Sequence, residues 1–166
     1  MEIGVISIET LFGGLDGALE RLLIARNRQN VGEIFVAVFE VLNWVYSIDD
    51  RLRKDRGERW YKKVRNGSIV RAVRFARNRV QHQWADAFIR TGGAEFPIQF
   101  PSAFHEWRWK ERAELPTPPP TMPDKQGASA YDSGLAGQSV RLTIELATRV
   151  LREAQDADAS NTHKSS

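Results

Sequence analysis

Residues 34 to 46 read IFVAVFEVLNWVY, an apolar run broken only by Glu40 and Asn43. A segment with no wet face must lie at the centre of its domain or inside an interface. Its β-branched residues would also suit a buried strand, but its length, from about Gly32 to Ser47, favours a helix. The run is short for crossing a bilayer and carries two polar groups. Glu40 and Asn43 are three apart, so on a helix they share a face. They are either a satisfied buried polar pair or the support of a functional site.

Other helices surround this one. Leu11, Leu15, Ala18, Leu19 and Leu22 recur at helical spacing, predicting a helix over 7–26 with Ser7 as its N-cap. Gly13, Gly14 and Gly17 weaken it. Residues 49–67 are charged and predict a loop holding a short helix at Trp60 and Tyr61. Asn66-Gly67 marks a turn. Ser68 then caps a long helix to about Arg90, with Ile69, Val73, Ala76, Val80, Trp84 and Ala87 as its apolar stripe and Gly92-Gly93 as its stop. A last helix, 138–155, buries Val140, Ile144, Ala147 and Leu151.

Residues 94–137 lack this periodicity. Prolines between Pro97 and Pro123, including the run PTPPPTMP, predict an extended, partly polyproline-like insertion. It also carries Phe96, Phe100, Phe104, Trp107 and Trp109, so its first half, to about Leu115, should pack on the domain. The expected organisation is one domain over 1–156 with a disordered tail at 157–166. The fold class is all-α, an antiparallel bundle of four to five helices.

The chain has no cysteine, which removes disulfides, thiolate metal sites and cysteine nucleophiles. The first ten residues, MEIGVISIET, do not resemble a secretory signal. With 42% hydrophobic and 27% charged residues the composition suits a globular chain. These features together predict a cytoplasmic protein without a membrane partner.

Net charge is +3, unevenly placed. From Arg51 to Arg90 there are thirteen Lys or Arg against three acids, a net +10 that leaves −7 for the rest. Such a block favours a polyanionic partner, nucleic acid being the commonest; a solvated helix face is the alternative.

Inside the block the chain writes RNRVQH, residues 77–82. An earlier RNR, 26–28, only ends a helix, where cations complement the dipole and Asn is a common stop. The second copy lies in mid-helix with no capping task. Asn78 and His82 are four apart and share a face. Arg77 and His82 are five apart, about 140° around a regular helix. Both reach one atom if the Arg curls round, if the helix distorts, or if two copies meet across a dimer axis. These residue types suit phosphodiester cleavage in RNA. His82 exchanges protons with the 2′-hydroxyl and the leaving oxygen, Arg77 stabilises phosphorane charge, and Asn78 orients them. No metal-ligand cluster accompanies them. The competing reading is an ordinary histidine at the edge of a core helix. His105 in FHEWRW reads as a packed histidine, and His163 in the tail is given no role.

Arg77-Asn78-x-x-x-His82 in a late helix resembles the ribonuclease motif of the HEPN superfamily. Residues 131–151, YDSGLAGQSVRLTIELATRVL, are similar to the closing helix of bacterial HEPN-type proteins, with a Gly-containing lead-in followed by TxE. The resemblance covers about 8–90 and 131–155; the insertion departs from it. It implies a homodimer with a composite, metal-independent RNase site that leaves a 2′,3′-cyclic phosphate. It also implies an antitoxin partner, often a nucleotidyltransferase, in a toxin–antitoxin or defence setting.

The expectation is therefore a metal-independent endoribonuclease with no cofactor. Arg77, Asn78 and His82 form its catalytic group. Arg71, Arg74 and Arg79 contact RNA phosphates, and Glu40 and Asn43 lie behind the site. Its rivals are a non-catalytic nucleic-acid-binding module and a dimeric protein-interaction module of the same fold.

Overall fold

The computed structural model describes residues 6–28, 30–83, 87–91, 106–117 and 125–162. They form an all-α bundle with one small sheet. The order is α1 (Ile8–Arg28), α2 (Val31–Arg56), a 3-10 turn (Trp60–Lys63), α3 (Ser68–Gln83), β1 (Phe88–Thr91), β2 (Glu106–Trp109), a 3-10 turn (Arg112–Glu114), α4 (Lys125–Gly134) and α5 (Val140–Thr162).

The apolar run lies where its missing wet face requires. Helix α2 packs on α1, α3 and α5 and buries Ile34, Val38, Val41, Leu42, Val45, Ile48 and Leu52. Helix α1 lays Phe12, Leu15, Ala18, Leu22 and Ala25 in the core. Ser7 Oγ accepts from the Thr10 N–H at 3.2 Å, the capping role expected of it. Gly14 permits the close approach of α1 and α2, because a Cβ there would lie 2.5 Å from the Trp44 ring. Helix α3 buries its expected stripe at Ile69, Val73, Ala76 and Val80, and α5 does so at Val140, Ile144, Ala147 and Leu151.

Several boundaries differ from expectation. Helix α2 continues through the charged segment to Arg56. Ile48 and Leu52 extend its buried stripe, and the charges pair within it: Arg51 with Asp55 at 2.7 Å, Lys54 with Asp50 at 2.8 Å and Arg53 with Asp50 at 2.7 Å. Gly57, at φ +87°, ends it by returning its N–H to Arg53 O. At 26 residues α2 is long and apolar enough to cross a membrane by length and composition, so shortness does not argue against that. In the structure its buried face is covered by protein.

Helix α3 ends at Gln83, not near Arg90, so RNRVQH lies at its C-terminal end and not in mid-helix as expected, and Phe88–Thr91 is a strand. It pairs antiparallel with β2, Phe88 opposite Trp109. Phe88 packs edge-on against Trp107 and Trp109 at 5.5 and 6.1 Å. Trp109 is buried and its Nε1 donates to Thr143 Oγ1 of α5 at 2.7 Å. The insertion thus does pack on the bundle at Trp109 and Leu115. Its second half contains α4, which was not expected. Tyr131 anchors α4, its ring tilted against Phe75 at 5.4 Å and its hydroxyl donating to Lys110 O. Helix α5 runs to Thr162, seven residues past its expected end near Gln155. Trp84, Gly92-Gly93, Phe96, Phe100 and Phe104 lie outside the described residues.

Candidate active site

Arg77 is half-buried on α3 and is held from α2. Its Nε donates to Asn43 Oδ1 at 3.0 Å, and Nη1 donates to the neighbouring Asn78 Oδ1 at 3.3 Å. Its guanidinium carbon lies 4.2 Å from the centre of the Tyr46 ring. A planar cation stacked on a ring and bonded at two nitrogens has one orientation. Nη2 has no protein partner among the described residues. Burial lowers the pKa of Arg77, and Tyr46 opposes that shift. Asn43 is itself fixed, its Nδ2 donating to Phe39 O at 3.0 Å. The helical backbone places His82 one turn beyond Asn78; its side chain is outside the described residues, as is the whole of His105.

Glu40 and Asn43, expected as a pair, serve different helices. Glu40 faces α1, where Arg21 Nε donates to Oε2 at 2.8 Å and Arg21 Nη2 makes a second, short contact to Oε1. Those bonds hold its carboxyl below the ordinary range. Only Asn43 touches the Arg77 group.

The three arginines expected at RNA phosphates are engaged or turned inward. Arg71 Nη1 donates to Tyr61 Oη at 3.0 Å and Gln126 Oε1 at 2.7 Å. Arg74 Nε lies 3.0 Å from Asp49 Oδ2, with 14% of the side chain exposed. Arg79 is 6% exposed and sits 5.6 Å over the Phe75 ring. A phosphate role for Arg74 requires breaking its ion pair, and for Arg79 requires opening the core.

Two residues were missed. In sequence Tyr46 reads only as part of an apolar helix, and nothing local signals that its ring lies against the Arg77 guanidinium. Asp49 is 1% exposed and joins three elements. Its Oδ1 accepts from Trp60 Nε1 at 2.9 Å, while Oδ2 lies 3.0 Å from Arg74 Nε and 3.6 Å from Arg53 Nε. Burial pushes its carboxyl up, and Arg74, Trp60 and Arg53 pull it back.

Two cavities lie apart from Arg77. One of about 280 Å³ is lined by Leu22, Arg26, Trp107 and Val140. The other, about 410 Å³, lies between α1 and α2 beneath the Arg21–Glu40 pair, with Ile24, Val36 and Ala37 in its wall. Among the described residues no three His, Cys, Asp or Glu side chains gather to hold a metal.

No protein-family model, curated protein or solved structure matches the chain. What the fold and geometry define is an all-α bundle that presents a stacked, oriented arginine on the helix carrying His82.

Proposed function

We propose that the protein is a metal-independent endoribonuclease of the HEPN type. The observation that carries this reading is the clamp on Arg77. An arginine whose ring contact and hydrogen bonds fix its plane, with no partner for Nη2 among the described residues, suits a phosphorane's developing charge, because little reorganisation is needed as charge forms. His82, on the same helix, takes the proton of the 2′-hydroxyl as that oxygen attacks phosphorus. The departing 5′-oxygen receives a proton, and a 2′,3′-cyclic phosphate remains. Asn78 orients Arg77 through Nη1, and Asn43 and Tyr46 position it from behind.

The active form in this reading is a homodimer, in which two copies of α3 line one cleft and two His82 side chains divide the acid and base roles. Exposed Val31 and Val36 on α2 and Ile24 on α1 supply apolar surface for a partner, Val36 being 66% exposed. A cytoplasmic location and restraint by an antitoxin complete the proposal. It is tested by incubating the purified protein with RNA in EDTA and examining the new ends. Cleavage to 2′,3′-cyclic phosphates supports it; intact RNA at high enzyme concentration removes it in favour of a binding module.

A further inference from the structure

Two sets of cations stand out in the basic block. Arg51, Arg53, Lys54, Arg71 and Arg74 are bonded to acids or polar side chains, as described above. Arg59, Lys62, Lys63 and Arg65 are exposed, and among the described residues none has an acidic partner. All four fall within seven residues around the 3-10 turn between α2 and α3. Glu58, the nearest acid in sequence, is drawn to Arg53 at 3.2 Å.

This turn is a firm knuckle. Trp60 is 2% exposed and bonded to Asp49, and Tyr61 is buried beside it. Backbone bonds close it from Trp60 N to Gly57 O at 3.1 Å and from Lys62 N to Arg59 O at 3.0 Å. Gly67 seats the α3 start against it, because a Cβ there would fall 1.9 Å from Tyr61 O. Asn66, at φ +58°, makes the bend. Four like charges on a pinned backbone repel one another unless an anion is present.

We propose that Arg59, Lys62, Lys63 and Arg65 form a docking surface for the phosphate backbone of single-stranded RNA, separate from the Arg77 group. The inference rests on the reading that RNA is the substrate. The knuckle's aromatic side chains face the core. Membrane-surface segments instead pair cations with exposed aromatic or aliphatic groups that enter the lipid. Arg77 lies nine residues past Ser68, about 14 Å along α3 at the helical rise. A strand held at both places must extend beyond a dinucleotide.

The test is a Lys62→Ala/Lys63→Ala/Arg65→Ala variant, which breaks no ion pair and should melt like wild type. Its affinity for a labelled single-stranded 2′-O-methyl oligoribonucleotide, which cannot be cleaved by 2′ attack, is measured by anisotropy at several salt concentrations. Three lost contacts should reduce the slope of log K against log salt by about 2, with affinity at low salt falling at least about tenfold. In cleavage assays KM for long RNA should rise while dinucleotide cleavage is unchanged. An unchanged salt slope overturns the docking surface and leaves the Arg77 reading standing. A fall in dinucleotide cleavage also overturns it, since the cations would then act at the reacting centre. Binding to phosphatidylserine vesicles that the variant loses, with the RNA slope unchanged, would assign the knuckle to a membrane instead. A reduced slope in a protein that cuts nothing supports the knuckle and removes only the enzyme reading. Wild type that binds no RNA removes both.

Discussion

Deleting the Asn43 side chain removes one arm of the clamp on Arg77. The lost bond, Arg77 Nε to Asn43 Oδ1 at 3.0 Å, involves a charged donor in a half-buried setting. Such bonds contribute roughly 1.5–3 kcal/mol when shielded, and partial access to water places this one near the lower end. Asn43→Ala should therefore cost about 1–1.5 kcal/mol. Arg77→Ala loses the same bond and the stack on Tyr46, which adds about 0.5–1 kcal/mol, for roughly 2 kcal/mol in all. The double variant should fall short of the sum by about 1 kcal/mol, because the shared bond is counted twice. Urea unfolding of the four proteins, with m-values compared, measures this coupling. A coupling within about 0.3 kcal/mol of zero would refute the clamp, since that is the scatter expected of independent sites. Cleavage by Asn43→Ala should fall about tenfold, equivalent to about 1.4 kcal/mol of lost orientation in the transition state.

Two further outcomes follow from the packing. Asp49→Ala leaves Arg74 and Arg53 without their buried partner and should cost about 3–5 kcal/mol, lowering Tm by about 10 °C or more. Because burial raises the Asp49 pKa, the folded protein holds the extra proton between the unfolded and folded values. Wild type should accordingly gain stability relative to Asp49→Asn as pH falls from neutral toward about 4, and lose that advantage as pH rises through the folded pKa; a pH series of urea midpoints showing the opposite slope contradicts the assignment. Sedimentation should give a dimer at micromolar concentration, shifted to monomer by Val36→Glu; a wild-type monomer would remove the two-copy cleft.

The helices were legible where burial imposed a period of 3.6, as at Leu15, Ala18 and Leu22 or Ile69, Val73 and Ala76. The extension of α2 was hidden because its last turns are stabilised by pairs such as Arg51–Asp55, which in sequence resemble a charged loop. The β1–β2 pair was missed because Phe88 finds its partner Trp109 within the insertion, a contact with no local signature. Helix α4 has few buried residues in a short span, so Tyr131, with Leu135 just past the helix end, does not stand out as a stripe. At the candidate site, the likeness in type between Arg71, Arg74, Arg77 and Arg79 concealed four environments. Helical phase explains Arg79, whose side chain points into the core; the inward turn of Arg74 required knowing that Asp49 waits across the helix gap. Glu40 and Asn43 share a face by spacing, yet α1 and α3 flank that face on opposite sides and take one each.

The most direct measurement is the rate of RNA cleavage by purified wild type and His82→Ala in EDTA, with folding and oligomeric state of both checked alongside. Loss of a proton-transfer group should lower the rate by about 10²-fold or more while RNA affinity changes little. A folded His82→Ala protein that cuts RNA at the wild-type rate would contradict the account.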